Sequence, residues 1–419
     1  MSTRKWAVIG LVMVIVSIAL PLLLYNAQAS SNAFFNQLAE RTFVTGSWSP
    51  SGNYALLAGL GGCIYRFDGA RFVDLTSGAP RGVDWDDVSW KPDGTAFITG
   101  ITMAQGFQLV TLGFDGQGFT EEPSSGWSTG YPVSSVWAPN GSYALVLASN
   151  SYAKFYGDSF SRFTNTSSLY CRSASWKPDG SYALVTCVNY SQGSRSSGAL
   201  CRYDGNNLSV IDKDLPMMLD CAWRPDGSYA LAVGQNHTVA MFNGESVRVL
   251  TSGEPGSFIS VAWKPDASYA LVTGESSLVL KFDGKSFTRI PIATGAQYLW
   301  ASWMPDGSSA IIYGLVPRYI HISSETGIEN WGGGFVWRYD GDHLTQLTPL
   351  ISAGPSLWPY LGAASVGAVI GLSVILVAAR KRKPETKDSE PHDATPVASA
   401  RAPVLGRLPG KPATREADP

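Results

Sequence analysis

Trp176-Lys177-Pro178-Asp179-Gly180-Ser181-Tyr182-Ala183-Leu184-Val185 is one copy of the phrase that decides the fold. A tryptophan closes one apolar run, Pro-Asp-Gly turns the chain, and Tyr-Ala-Leu-Val opens the next run. Variants recur at Trp48, Trp90, Trp137, Trp223, Trp263 and Trp303, so successive tryptophans stand 42, 47, 39, 47, 40 and 40 residues apart. A period near forty leaves room for four short strands and their turns.

The sixth copy shows the unit. Ile259–Trp263 reads as a first strand, Tyr269–Thr273 as a second, Leu278–Phe282 as a third and Ser286–Ile290 as an outer strand, with turns at Pro265-Asp266-Ala267 and Asp283-Gly284. The second strand is apolar throughout instead of alternating, the pattern of burial on both faces. Alanine follows the tyrosine position in every copy (Ala55, Ala96, Ala144, Ala183, Ala230, Ala270, Ala310), which suits a tight contact between neighbouring sheets. Seven four-stranded antiparallel units stacked radially make an all-β, seven-bladed propeller.

The third strand ends in an aromatic-Asp-Gly triplet at Phe67-Asp68-Gly69, Phe114-Asp115-Gly116, Tyr203-Asp204-Gly205, Phe282-Asp283-Gly284 and Tyr339-Asp340-Gly341. Together with the Pro-Asp-Gly turn, these triplets resemble the WD-repeat family of propellers over residues 44–348. The resemblance implies the same ring of blades. The chain departs from that family in lacking a Gly-His dipeptide and in carrying its tryptophan on the first strand. Two segments are candidates for closing the ring: His343–Leu347, the outer strand in sequence order, and Phe34–Leu38, which reads as a further copy of it.

Four segments follow from the apolar and charged runs. Residues 1–30 are a signal peptide or signal anchor around the uncharged run 6–24, with Ala27-Gln28-Ala29 as a cleavage-type triplet. The propeller occupies 31–355. Residues 356–379 are long and apolar enough to cross a bilayer, with Trp358 and Tyr360 at the outer edge. Arg380-Lys381-Arg382-Lys383 then hold residues 380–419 on the cytoplasmic side as a disordered tail, Pro- and Ala-rich and without an aromatic residue. The expected location is the cell membrane, single-pass or two-pass, with the propeller outside. Asn-x-Ser/Thr triplets at Asn140, Asn165, Asn189, Asn207 and Asn236 agree as glycosylation acceptors.

A net charge of −2 leaves no basic stripe for nucleic acid. His-Glu-x-x-His and phosphate-loop motifs are missing, and His237, His321 and His343 are too scattered for a metal cluster. No catalytic residue, metal or cofactor is expected. The repeated turn acids serve turns, and the basic residues after each tryptophan (Lys91, Lys177, Arg224, Lys264) and before each aromatic-Asp pair (Arg66, Lys154, Arg202, Lys281, Arg338) are expected to pair with them. Of five cysteines, Cys187 with Cys201 and Cys171 with Cys221 are the expected disulfides, against the alternative of buried thiols.

Every long insertion, including Ile101–Leu109, Asp212–Asp220 and Leu315–Gly334, falls on one face of the ring. That face carries Trp85, Trp127, Tyr131, Tyr190, Tyr298, Trp300, Tyr319 and Trp331, the candidate ligand-binding residues. Two functions compete. One is a membrane-anchored binding or scaffolding module for a cell-surface protein or glycan. The other is a hydrolase or lyase acting on carbohydrate or peptide through Asp84, Asp86, Asp87 and Glu325 at the central mouth, for which converging carboxylates of shifted pKa would speak.

Overall fold

A computed structural model describes residues 42–102, 108–123, 132–166, 168–189, 197–292, 296–315, 321–323, 327–329 and 334–348. Among them, strands form seven four-stranded antiparallel sheets, each in simple sequence order, and one two-stranded hairpin. The sheets are the seven blades. Blade one runs Thr42–Trp48, Ala55–Leu60, Ile64–Phe67 and Phe72–Asp74; blade seven runs Tyr298–Trp303, Ala310–Leu315, Gly334–Tyr339 and Leu344–Gln346. The hairpin, His321–Ser323 with Gly327–Glu329, lies inside the long insertion of blade seven. The propeller falls within one compact unit, Leu23–Leu357.

Double-sided burial explains the second strands. Ala230–Gly234 and Ala270–Gly274 are buried at every position, and the seven leading alanines are fully buried. Each blade presses one face on its predecessor and one on its successor, so a larger side chain has no room there. The hydrophobic clusters accordingly span two blades. Leu271 and Val279 of blade six pack with Leu299, Ala301 and Trp303 of blade seven.

The repeated phrase is an adhesive between blades. Tyr54, Tyr143, Tyr182, Tyr229 and Tyr269 each meet the tryptophan of the following blade edge-on, at ring centroid distances of 5.4 to 5.9 Å. Indole N–H groups reach back to the previous blade: Trp90 to the Ser47 carbonyl, Trp176 to Val136 and Trp263 to Ala222. Lys91, Lys177, Arg224 and Lys264 pair with the turn acids two residues on, as their spacing suggested. The second set of bases behaves differently. Arg66, Lys154, Arg202 and Lys281 lie over Tyr54, Tyr143, Tyr182 and Tyr269, with Arg202 4.0 Å and Lys281 4.1 Å from the ring centres. Tyr182 and Tyr269 are buried and Tyr54 and Tyr143 half-buried, while the turn acids are exposed, so the ring face is the less hydrated partner.

The ring closes without exchange of a strand among the described residues, because Leu344–Gln346 serves blade seven and blade one is complete in itself. Phe43, Trp48, Leu57 and Tyr65 of blade one share a core with Ile311, Tyr313 and Val336 of blade seven. The Tyr313 hydroxyl donates to the Gly46 carbonyl at 3.1 Å. Phe34–Leu38 lies outside the described residues.

Asp212–Asp220, expected as a loop, is strand at both ends. The outer strand of blade four runs Leu208–Leu215 and the next inner strand starts at Met218, leaving Pro216-Met217 as the whole connection. Two glycines admit it. A Cβ on Gly198 would stand 1.8 Å from the Pro216 carbonyl oxygen, and one on Gly234 would stand 2.0 Å from that of Met217.

Among the described residues no helix is long and apolar enough to cross a membrane. The apolar runs at 6–24 and 357–379 lie outside those residues.

Candidate functional site

The inner strands hold a cavity of about 570 Å³ at the centre of the ring, and its lining follows from counting back from each tryptophan. Three residues before it stand Thr45, Asp87, Ser134, Ser173, Asp220, Ser260 and Trp300, one per blade, and all seven line the cavity. Four residues before it stand Val44, Asp86, Arg172, Leu219 and Ile259, which also line it. In those five blades the pairing of first and second strands slips at this fourth position. A bulge carries one unpaired residue and re-aims its side chain, which is how a strand otherwise committed to packing presents a side chain to the cavity.

The two rings do different work. Residues at the third position clasp the next blade: Thr45 Oγ1 accepts from the Val88 N–H at 3.1 Å, Asp87 Oδ2 from Ser135 N–H at 2.5 Å, and Asp220 Oδ2 from Val261 N–H at 2.9 Å. Asp87 also accepts from the Ser135 hydroxyl, and Asp220 from the Ser173 hydroxyl of the preceding blade at 2.7 Å. Burial pushes the Asp87 carboxyl up to about 6 despite these bonds, and it raises Asp220 for the same reason.

Asp86 has no such duty. Its Oδ2 is buried without a hydrogen-bond partner. Burial, followed by the nearby charges of Asp84 and Asp87, pushes its carboxyl up to about 8. Around it the cavity offers the exposed guanidinium of Arg172 and an aromatic wall. Trp300 lies parallel to Tyr313 at 6.2 Å and close to Tyr298 at 6.4 Å. Among the described residues, three carboxyls therefore share the cavity with one guanidinium. Among the described residues no group of His, Cys, Asp and Glu side chains is arranged to hold a metal ion.

The candidate ligand-binding residues divide sharply. Tyr298 and Trp300 line the cavity. Trp85 does not: it is fully buried, and its indole N–H is spent on the Gly62 carbonyl at 3.2 Å, so it is core. Alternation explains the correction, because Trp85 sits one residue from Asp86 and faces the opposite way. Trp127, Tyr131, Tyr190, Tyr319, Trp331 and Glu325 lie outside the described residues. Asp84 caps the Gly61 N–H at 2.7 Å. Asn140, Asn165, Asn207 and Asn236 are exposed and Asn189 is half-buried. All five cysteines are buried, and each stands as a free thiol in the structure. Cys187 stands opposite Ala199 with Cys201 opposite Val185, and the Cys221 thiol points at the Leu184 carbonyl.

Arg172 and Asp220 were missed by reasoning from the sequence. The signal was present as a charged residue at a position that most blades fill with an apolar or hydroxylated one, Asp86 and Asp87 being the exceptions, and it becomes visible once positions are counted from the tryptophan.

No family model matches the chain, and no curated protein matches it. Solved structures match by shape. Hydrazine synthase of Kuenenia stuttgartiensis is similar at a TM-score of 0.50 and 16% identity, over 74% of this chain and 96% of that one. YCF48 bound to D1 peptide is similar at a TM-score of 0.52 and 12% identity, over 76% of this chain and 95% of that one. At these identities the likeness concerns the propeller fold.

Proposed function

We propose that this protein is a non-catalytic binding module that takes a basic side chain of a partner protein into the central cavity. The observation that carries the reading is the unpartnered Asp86 carboxyl, delivered by a bulge into a cavity with excess acid and an aromatic wall. An ammonium or guanidinium there supplies the missing partner, and Trp300 offers a face on which a cation is attracted. A peptide is the bound species named for the similar YCF48 structure, which agrees with a protein ligand. The apolar runs 6–24 and 357–379 with Arg380–Lys383 support a cell-surface setting, anchored in the membrane with the propeller outside.

The test is a synthetic peptide array whose central residue is Arg, Lys, Gln or Glu, probed with the purified full-length chain. Arg and Lys peptides are retained, and Asp86→Asn lowers retention at least about tenfold, the equivalent of one charge-assisted hydrogen bond. Retention indifferent to the central residue and to Asp86→Asn contradicts the reading.

A hydrolase is the second reading, favoured by the raised pKa of both Asp86 and Asp87 in one cavity. Against it, Asp87 is occupied as an inter-blade clasp, the duty that Thr45 and Asp220 perform at the same position. Turnover of chromogenic glycosides or peptides that vanishes in Asp86→Asn is the result that favours it.

A further inference from the structure

Three of the five cysteines meet inside blade four. Cys171 lies on the inner strand Leu169–Trp176 and stands directly opposite Cys187 on the second strand, Ala183–Asn189. Their sulfurs are 2.8 Å apart, and neither residue reaches solvent. The backbone favours this approach. The Cys171 N–H is given to the Ser149 carbonyl at 3.0 Å, in the neighbouring blade, and not to Cys187. That leaves a non-hydrogen-bonded cross-strand pair, in which Cα atoms come within about 4.5 Å and side chains are closest. The bulge at Arg172 follows immediately, so the strand on that side has slack to adjust. Cys201, on the third strand, also touches the Cys187 thiol but is two residues out of register with it.

We infer that Cys171 and Cys187 are the site of a disulfide that staples the inner hairpin of blade four, with Cys201 left as a thiol. The bridge forms by exchange with an oxidised disulfide compound such as glutathione disulfide. The Cys187 or Cys171 thiolate attacks one sulfur of the oxidant and releases its first thiol, and the second cysteine thiolate then displaces the other. Two protein thiols lose two protons and two electrons, and the oxidant is reduced to two thiols. Burial and the neighbouring thiols hold the Cys187 pKa well above its ordinary value, so the finished propeller keeps little thiolate there. The bridge therefore closes while blade four is still assembling. Once closed, it is shielded from reductant by the same burial.

Thiol mapping on the full-length chain tests this. The protein is unfolded, allowed to refold in a glutathione redox buffer, then alkylated under denaturing conditions, digested and mapped by mass spectrometry. The expected product is a Cys171–Cys187 linked peptide, lighter by two hydrogens than the sum of its parts, with Cys63, Cys201 and Cys221 alkylated. Cys201→Ala keeps the linkage, and reduction of the bridged protein lowers its melting temperature by several degrees. The same map on protein isolated without refolding guards against a chain that refolds poorly. Five alkylated cysteines in both preparations, or a Cys187–Cys201 link in place of Cys171–Cys187, overturns the inference.

Discussion

Each inner strand has two ends that obey different rules. From the tryptophan onward, the sequence is nearly the same in every blade, and its side chains are spent on joints and turns: tyrosine on the next blade's tryptophan, indole on a carbonyl of the previous blade, base on the acid of its own turn. Three and four residues before the tryptophan, the blades diverge into Val44 with Thr45, Asp86 with Asp87, Arg172 with Ser173 and Leu219 with Asp220. A ring of seven similar sheets needs seven similar joints, so repetition marks adhesion. A ligand is recognised once, at one place, so a site must break the repeat. The cavity sits where the repeat breaks.

Substitutions at the two ends should separate the roles. The largest effect belongs to the joint. Trp263→Ala removes a buried ring that meets Tyr229 and bonds Ala222, and it should cost about 3–5 kcal/mol in denaturant unfolding. Peptide binding per folded molecule should stay unchanged. Trp300→Ala, at the cavity end, should do the reverse and weaken binding more than stability.

The next effect is a pH dependence owed to the cavity alone. Asp86 and Asp87 hold their protons to about 8 and about 6 in the folded protein, well above the unfolded value of 3.8. Between those limits the folded state binds more protons than the unfolded, so stability is greatest below pH 4 for these groups and falls as pH rises. Asp87 contributes to the fall up to about pH 6 and Asp86 up to about pH 8. The limiting slope is about 1.4 kcal/mol per pH unit for each proton. Asp86→Asn should flatten the profile between pH 6 and 8, read from unfolding curves across that range. The same change at Asp179, an exposed turn acid held low by Lys177 and Ser181, should leave it as it was.

A smaller effect sharpens the rule of repetition. Six of the seven Pro-x-Gly turns carry glycine with positive φ, whereas the sixth blade places Ala267 at φ 61°. An L residue there costs about 1–2 kcal/mol, so Ala267→Gly should raise stability by about 1 kcal/mol or slightly less after its own entropy loss. The smallest effect is expected at the exposed Lys177–Asp179 pair, whose removal should not measurably shift the melting curve.

The fold was legible because its determinants repeat: spacing, turn chemistry and the double-sided burial of Tyr-Ala-Leu-Val can each be checked seven times. The site was only half legible. Tyr298, Trp300, Asp86 and Asp87 stood out as aromatic or acidic residues on the right strands. Trp85 looked equal to them, but strand alternation turns it into the core. Arg172 was hidden because a bulge, which sequence periodicity does not reveal, sets its direction. The cysteines show a related difference. Strand order placed Cys187 beside Cys201, but register, fixed by hydrogen bonds, sets Cys187 against Cys171.

The most direct measurement compares the two ends by photo-crosslinking. A photoreactive phenylalanine analogue is placed at position 300 in one sample and at 51, an exposed residue of the repeated turn, in another. Each full-length protein is then irradiated with an Arg-centred peptide. Crosslinks at 300 that are lost in Asp86→Asn, with none at 51, are the predicted result. Equal labelling at both positions, or labelling at 51 alone, contradicts the assignment of binding to the cavity.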